Sequence, residues 1–147
     1  MRKLNHWDER YLGLAEYVSN WSKDPSTKVG AVVVSPDNTV VSVGFNGFPR
    51  GVEDSESRLN DRNLKYKMVV HAEKNAIVFA NRSVRLCTLY TYPFMPCSSC
   101  AAFIIQAGIL EVIAPYCDNP RWNDNFLISQ NMFEEANVGL TLANIPE

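Results

Sequence analysis

Residues 69–100 read VVHAEKNAIVFANRSVRLCTLYTYPFMPCSSC. Within them "AEKNAIVFA" has helical spacing of its apolar residues, "LCTLYTY" is a strand-like run of β-branched and aromatic residues, and "CSSC" opens a second helical pattern, "CSSCAAFIIQAG". Gly108 is placed to close that second helix at its C-terminus. Beyond it, "LEVIAPY" reads as a strand, "NDNFLISQNMFEEAN" as a helix with Asn123 as its candidate cap, and "VGLTLAN" as a last strand. Strands that alternate with helices predict a layered α/β fold with parallel neighbours.

Towards the N-terminus the pattern changes. Trp7, Tyr11, Leu14, Val18 and Trp21 recur at helical spacing, with Asn5 as cap and Asp8 at the reciprocal position, which predicts a helix over about 5–22. "VGAVVVS" and "TVVSVGF", joined by "PDN", predict two strands and a tight turn. Gly44, Gly47 and Gly51 crowd into the loop "GFNGFPRG", where the backbone must bend sharply or approach something closely. Residues 53–68 are polar and charged and predict a surface excursion with one short helix. There is no repeat, linker or low-complexity tract, so residues 1–147 are expected to form one domain.

Apolar and charged fractions of 46% and 20% are those of a globular chain. No apolar run approaches the ~20 residues of a membrane span, and "MRKLNHWDER" lacks the apolar stretch of a secretory signal. A cytoplasmic protein is therefore expected, or one in the host cytoplasm if the chain is viral. The net charge is −2 and Lys and Arg are scattered, which favours a small-molecule partner over nucleic acid.

The opening stretch also concentrates chemistry, with one of two histidines and three of four cysteines. Cys97 and Cys100 stand three apart at a predicted helix start, so both sulfurs can face one point where the helix dipole favours thiolates. With His71 they make three metal ligands, and a zinc ion with three protein ligands keeps a fourth position for water, whose pKa it lowers. Glu73, two residues from His71, is then placed to move protons, as hydrolytic deamination requires. A lone Cys–x–x–Cys is equally compatible with a redox pair or half of a structural zinc site; the joint pattern is what is specific. Cys87 and Cys117 read as plain thiols, either being a fourth ligand only if the zinc were structural, and His6 reads as a residue of the first helix.

"HAE" followed by "PCSSC" resembles the zinc-dependent cytidine and deoxycytidylate deaminases. "DPSTKVGAVVV", "GFNGFPRG", "HAEKNAI" and "IIQAGILEVI" are most similar to the deoxycytidylate (dCMP) deaminase branch, over about Asp24 to Val112. The resemblance implies a cytidine-deaminase-like layered fold, with a mixed sheet of about five strands flanked by helices. It implies one zinc per chain on His71, Cys97 and Cys100, Glu73 as proton shuttle, and conversion of dCMP to dUMP and ammonia. It further implies substrate contacts from Asn46, Ser26, Thr27 and Lys28, and a base-stacking aromatic, for which Tyr116 is the candidate. Family members are commonly hexamers activated by dCTP and inhibited by dTTP. Gly47, Pro49 and Gly51 match the effector loop, and Phe79 and Arg82 match residues linked to that regulation. Core packing is the competing explanation for Phe79, and an ordinary turn for the glycines.

The sequence departs from the family in places. "YTYPFMPC" is about one residue longer than usual, Phe45 stands where tyrosine is common, and residues 53–68 hold no His or Cys for a second zinc. Rival readings are a deaminase of another cytosine nucleotide, nucleoside or base, a deaminase of adenosine in tRNA, and a non-catalytic zinc-binding interaction domain.

Overall fold

The computed structural model describes residues 1–144; the last three residues of the expected 1–147 domain lie outside the described residues. The first helix, α1 (His6–Ser19), starts where expected. The Asn5 side chain accepts from the backbone N–H of Trp7 and Asp8, while Asp8 accepts from the Asn5 N–H at 2.9 Å. The helix stops at Asn20, short of residue 22, because Trp21 and Ser22 turn away through bonds to the Val18 and Ser19 carbonyls.

Strands β1 (Gly30–Val34) and β2 (Val40–Phe45) form the expected antiparallel pair. Two short helices follow, α2 (Glu56–Asn60) and α3 (Arg62–Met68), where one was expected. Ser55 and Asp61 each cap one, so the polar run carried two start signals rather than one. Then come α4 (Ala72–Phe79), β3 (Thr88–Tyr92), α5 (Ser98–Ala107), β4 (Glu111–Pro115), α6 (Asn123–Glu135) and β5 (Gly139–Ala143). Gly108 closes α5 in the left-handed region, φ 84°. Asn123 does not cap α6: Trp122 holds that position, and the Asn123 amide instead bonds the Asn119 N–H and the Asp118 carboxylate.

The five strands make one mixed sheet in the order β2-β1-β3-β4-β5. The expected parallel neighbours are β3, β4 and β5; β1 runs antiparallel to both β2 and β3. All five residues of β1 are buried, so both sheet faces are covered there. Val32 and Val34 join Tyr11, Leu12 and Ala15 of α1 on one face. Ala31 and Val33, on the other, join a larger core with Ala72 and Ala76 of α4, Ile104 of α5 and Phe133 of α6. Two glycines set how closely the helices lie. A Cβ on Gly30 would stand 2.0 Å from the Ala15 carbonyl oxygen, and one on Gly44 would stand 2.4 Å from the Ala76 nitrogen.

Asp8 ties α1 to the sheet. It is 2% exposed and accepts from both Arg2 Nη atoms, at 2.7 and 2.8 Å, and from Tyr90 Oη at 2.6 Å. Burial pushes this carboxyl up, but the hydrogen bonds from Arg2, Tyr90 and Asn5 outweigh it and hold it at about 2. A carboxyl depressed in the folded state contributes stability that is complete above its ordinary value of 3.8 and lost as pH falls from there towards about 2. Asp8→Asn is expected to cost roughly 1–3 kcal/mol at neutral pH and to flatten the acid limb of the stability profile. Urea unfolding across a pH series measures both. An unchanged acid limb would show that Asp8 is not a main source of acid sensitivity.

Candidate active site

Two helix N-termini, those of α4 and α5, face each other. His71 is the N-cap residue of α4 and Cys97 that of α5, and neither side chain makes a capping hydrogen bond. Both are thus released from the usual work of a cap and turn towards each other. Asn125 of α6 takes over at α5, its Oδ1 accepting from the Ser98 N–H at 2.8 Å. Lys74 Nζ donates to Ser99 Oγ at 2.8 Å and clamps the two first turns together.

His71 Nδ1 lies 3.2 Å from Cys100 Sγ and 3.5 Å from Cys97 Sγ, and the three ligand atoms fall within 4.8 Å of one another. A tetrahedral zinc with bonds of ~2.0–2.1 Å to nitrogen and ~2.3 Å to sulfur would separate N from S by about 3.5 Å. The donor set and its spacing therefore fit that ion. Electrostatics agree. Hydrogen bonds from Cys100 and His71 draw the Cys97 thiol down to about 4, so it is a thiolate at neutral pH. The bond to Cys97 raises Cys100, which keeps the shared proton that a metal would displace, and likewise raises His71.

Glu73, in the first turn of α4, is 4% exposed. Burial pushes its carboxyl up, with His71 working in the opposite direction. It belongs to the lining of a cavity of about 110 Å³ that His71 and Cys97 also line. Ser26, Thr27 and Asn46 line the same cavity. The Asn46 amide is engaged there: Oδ1 accepts from the Val29 N–H at 2.9 Å, and Nδ2 donates to the Thr27 carbonyl at 2.9 Å. It holds the "STK" segment against the end of β2.

Lys28 and Tyr116 are not brought to the cavity; Lys28 is exposed on the surface and Tyr116 is 61% exposed. The cation inside is Lys65, 4% exposed, whose Nζ donates to Asp24 Oδ1 at 3.0 Å. The aromatic rings in the lining are Tyr66, Phe94, Trp122 and Phe126. Phe94 comes from the lengthened segment before Pro96 and packs 5.4 Å, centroid to centroid, from Phe126. Gly47 pairs with Val70, the neighbour of His71, through bonds of 3.1 and 2.8 Å. Pro49 accepts from the Val52 N–H, Gly51 has φ 79°, and the Arg50 guanidinium lies 4.6 Å over the Phe79 ring. Arg82 is exposed and donates to the Ser83 carbonyl. Cys87 is a buried core thiol.

This fold and this cluster are those of a zinc-binding deaminase. The chain belongs to the cytidine and deoxycytidylate deaminase family, whose zinc-binding region matches residues 5–115, and it is a hydrolytic deaminase. It is 45% identical over 141 residues to an uncharacterized deaminase in luxG 3'region of Aliivibrio fischeri, covering 94% of each chain. It is 38% identical over 138 residues to deoxycytidylate deaminase of Pongo abelii, covering 90% of this chain and 76% of that one. The solved structure of dCMP deaminase from the cyanophage S-TIM5 in complex with dCMP and dUMP is similar at TM-score 0.75 and 26% identity, covering 97% of this chain and all of that one. Among the described residues no helix is long and apolar enough to cross a membrane.

Proposed function

We propose that residues 1–147 form one nucleotide-deaminase domain that converts dCMP and water to dUMP and ammonia, with one zinc ion held by His71, Cys97 and Cys100. The observation that carries this reading is the buried Glu73 carboxyl on the cavity wall that His71 and Cys97, two of the three clustered ligands, also line. A structural zinc site has no use for such a group. The names of the mammalian and cyanophage relatives support the nucleotide.

The ion, when bound, supplies the Lewis acidity that makes water a nucleophile at neutral pH. Glu73 would take one proton from the attacking water and pass it to the pyrimidine ring nitrogen, then take the second from the hydroxyl now on the ring carbon and pass it to the amine, which leaves as ammonia as the carbonyl forms. Burial favours its neutral form, which suits a carboxyl that must carry protons near neutral pH. Phe94, Trp122 and Phe126 supply apolar wall for the base, while Ser26, Thr27 and Asn46 supply the polar wall for the sugar and its substituents.

The panel that tests this is ammonia release from dCMP, CMP, deoxycytidine and dCTP. dCMP is expected to lead deoxycytidine by ~10² or more, because a polar site rejects a substrate that leaves its donors unpaired. Equal rates would remove the phosphate from the substrate, and faster CMP turnover would remove the deoxyribose preference. A metal-loaded protein that releases ammonia from none of them would instead favour a zinc-binding interaction domain.

The reading extends to regulation in a homo-oligomer, a hexamer, with dCTP as activator and dTTP as inhibitor, in the cytoplasm of a cell or of a virus's host. Its support is the loop 46–51, which reaches the segment leading into α4 through the Gly47–Val70 bonds and the far end of α4 through Arg50 on Phe79. A ligand that shifts this loop has a short physical route to the metal ligands. Saturation curves for dCMP at several dCTP and dTTP concentrations, with light scattering, test it. A hyperbolic curve that neither nucleotide moves, from a monomer or dimer, would discard it.

A further inference from the structure

Cys97 stands where a helix normally carries its capping side chain, and one sulfur cannot serve both the helix and a metal. An N-cap side chain satisfies N–H groups that the first turn leaves without an intrahelical partner. Cys97 makes no such bond to α5, and its Sγ lies instead 3.5 Å from His71 Nδ1.

The first turn of α5 is met from another helix. Asn125, the third residue of α6, stands 27 residues beyond Ser98. Its Oδ1 accepts from the Ser98 N–H at 2.8 Å, and its Nδ2 donates to Ser98 Oγ at 3.1 Å. A backbone N–H only donates, so it fixes which end of the amide faces it, and both ends are then spent on one residue. Asn125 is itself held, since the buried Ser129, one turn along, donates Oγ to its carbonyl at 3.4 Å. The same face of α6 grips the segment leading into Cys97: the Phe126 ring lies 5.4 Å from that of Phe94, and Gln130 Nε2 lies 3.7 Å from Met95 Sδ.

Ser98 is the neighbour of Cys97, so a two-point hold on Ser98 sets where the chain leaves Cys97 and hence where its Sγ stands. Cys100 needs no such help, because it lies within the first turn and is fully buried. We infer that Asn125 is a positioning residue of the metal site, which caps α5 in place of Cys97 and so leaves the Cys97 sulfur to the metal. Groups that orient metal ligands commonly bond the ligand side chain itself; this one acts through the backbone of the next residue. The inference rests on the zinc site proposed above.

The test uses the full chain. Zinc affinity is measured by competition with a chromophoric chelator, beside thermal melting of the metal-free and zinc-saturated forms. Asn125→Ala is expected to weaken zinc by ~10–100-fold, the usual loss when a group behind a metal ligand is removed. Cobalt(II) bound in place of zinc should show altered visible absorption in that variant, since its bands follow ligand type and geometry. Asn125→Asp keeps an acceptor for the Ser98 N–H and should recover most of the affinity and the wild-type cobalt spectrum. Gln130→Ala loosens the same helix face without touching the cap and should leave zinc affinity within about threefold of the wild type. Equal losses in Asn125→Ala and Gln130→Ala would assign Asn125 a packing role and overturn the inference. So would a metal-free Asn125→Ala that melts lower while its zinc affinity and cobalt spectrum stay unmoved; with stoichiometric zinc in the wild type, that result leaves the zinc site standing. A wild type that takes up no zinc would overturn the site and this inference with it.

Discussion

Glu73→Gln is expected to fold, to keep its metal and to lose at least ~10²–10⁴ in turnover, the usual contribution of one general acid–base group. A single carboxyl that serves several proton transfers should lie at or beyond the upper end. The substitution is nearly isosteric, and Glu73 is 4% exposed, so its shape is retained in the lining. Stability should hold or rise, because burial already disfavours the ionised carboxylate that the amide replaces. That opposite movement of activity and stability separates a proton carrier from a packing residue, which would lose both. Ammonia release under single-turnover conditions, alongside metal content and thermal melting, reads all three. Turnover within tenfold of the wild type would remove Glu73 from the chemistry.

What was legible in the sequence was local. Cys97 and Cys100 share a helix face at three-residue spacing, and Asn5 and Asp8 form their box within one turn; both follow from helix geometry alone. The alternation after residue 71 announced the layered sheet, yet β1 inserts between β2 and β3, a pairing that neighbours in sequence do not specify. The contacts with no local signature are long-range. Lys65 stands in a polar run that looks like a solvated surface, and nothing nearby marks it as buried against Asp24, 41 residues earlier. "DPST" did carry a sign, since an Asp before Pro-Ser-Thr caps its own turn, as the Asp24 bonds to Ser26 and Thr27 show. The resemblance placed Lys28 at the substrate, but residue 28 is exposed just before β1. Tyr116, just after β4, stands exposed and away from the cavity, and the ring from that loop in the lining is Trp122. Its sign in the sequence is "NPRW", which sets a cation and an indole side by side after a turn.

Removing the metal is expected to produce the largest loss of stability. His71, Cys97 and Cys100 come from the starts of two helices that pack on one face of the sheet. An ion across them would join α4 to α5 in the folded chain alone, because the ligands stand 26 and 29 residues apart along it. Metal bound only by the folded state contributes ~2.7 kcal/mol at a hundred times Kd and ~4.1 kcal/mol at a thousand times. Without it, the Cys97 thiolate remains at a helix N-terminus with the raised His71 as its partner, so the site keeps some order. The apo chain should therefore remain folded on its own core and melt lower, rather than unfold outright as a zinc finger does. Cys100→Ser should abolish stoichiometric zinc and all deaminase activity, since its sulfur is fully buried and no other Cys or His of the described residues joins the cluster. Chelation should lower the melting temperature of the wild type to near that of Cys100→Ser and should not move the variant further. That convergence is the discriminating readout, because a serine that merely disturbed packing would leave the variant sensitive to chelator. Full zinc occupancy in either Cys97→Ser or Cys100→Ser, measured by elemental analysis after dialysis, would show that the ligand set is wrong.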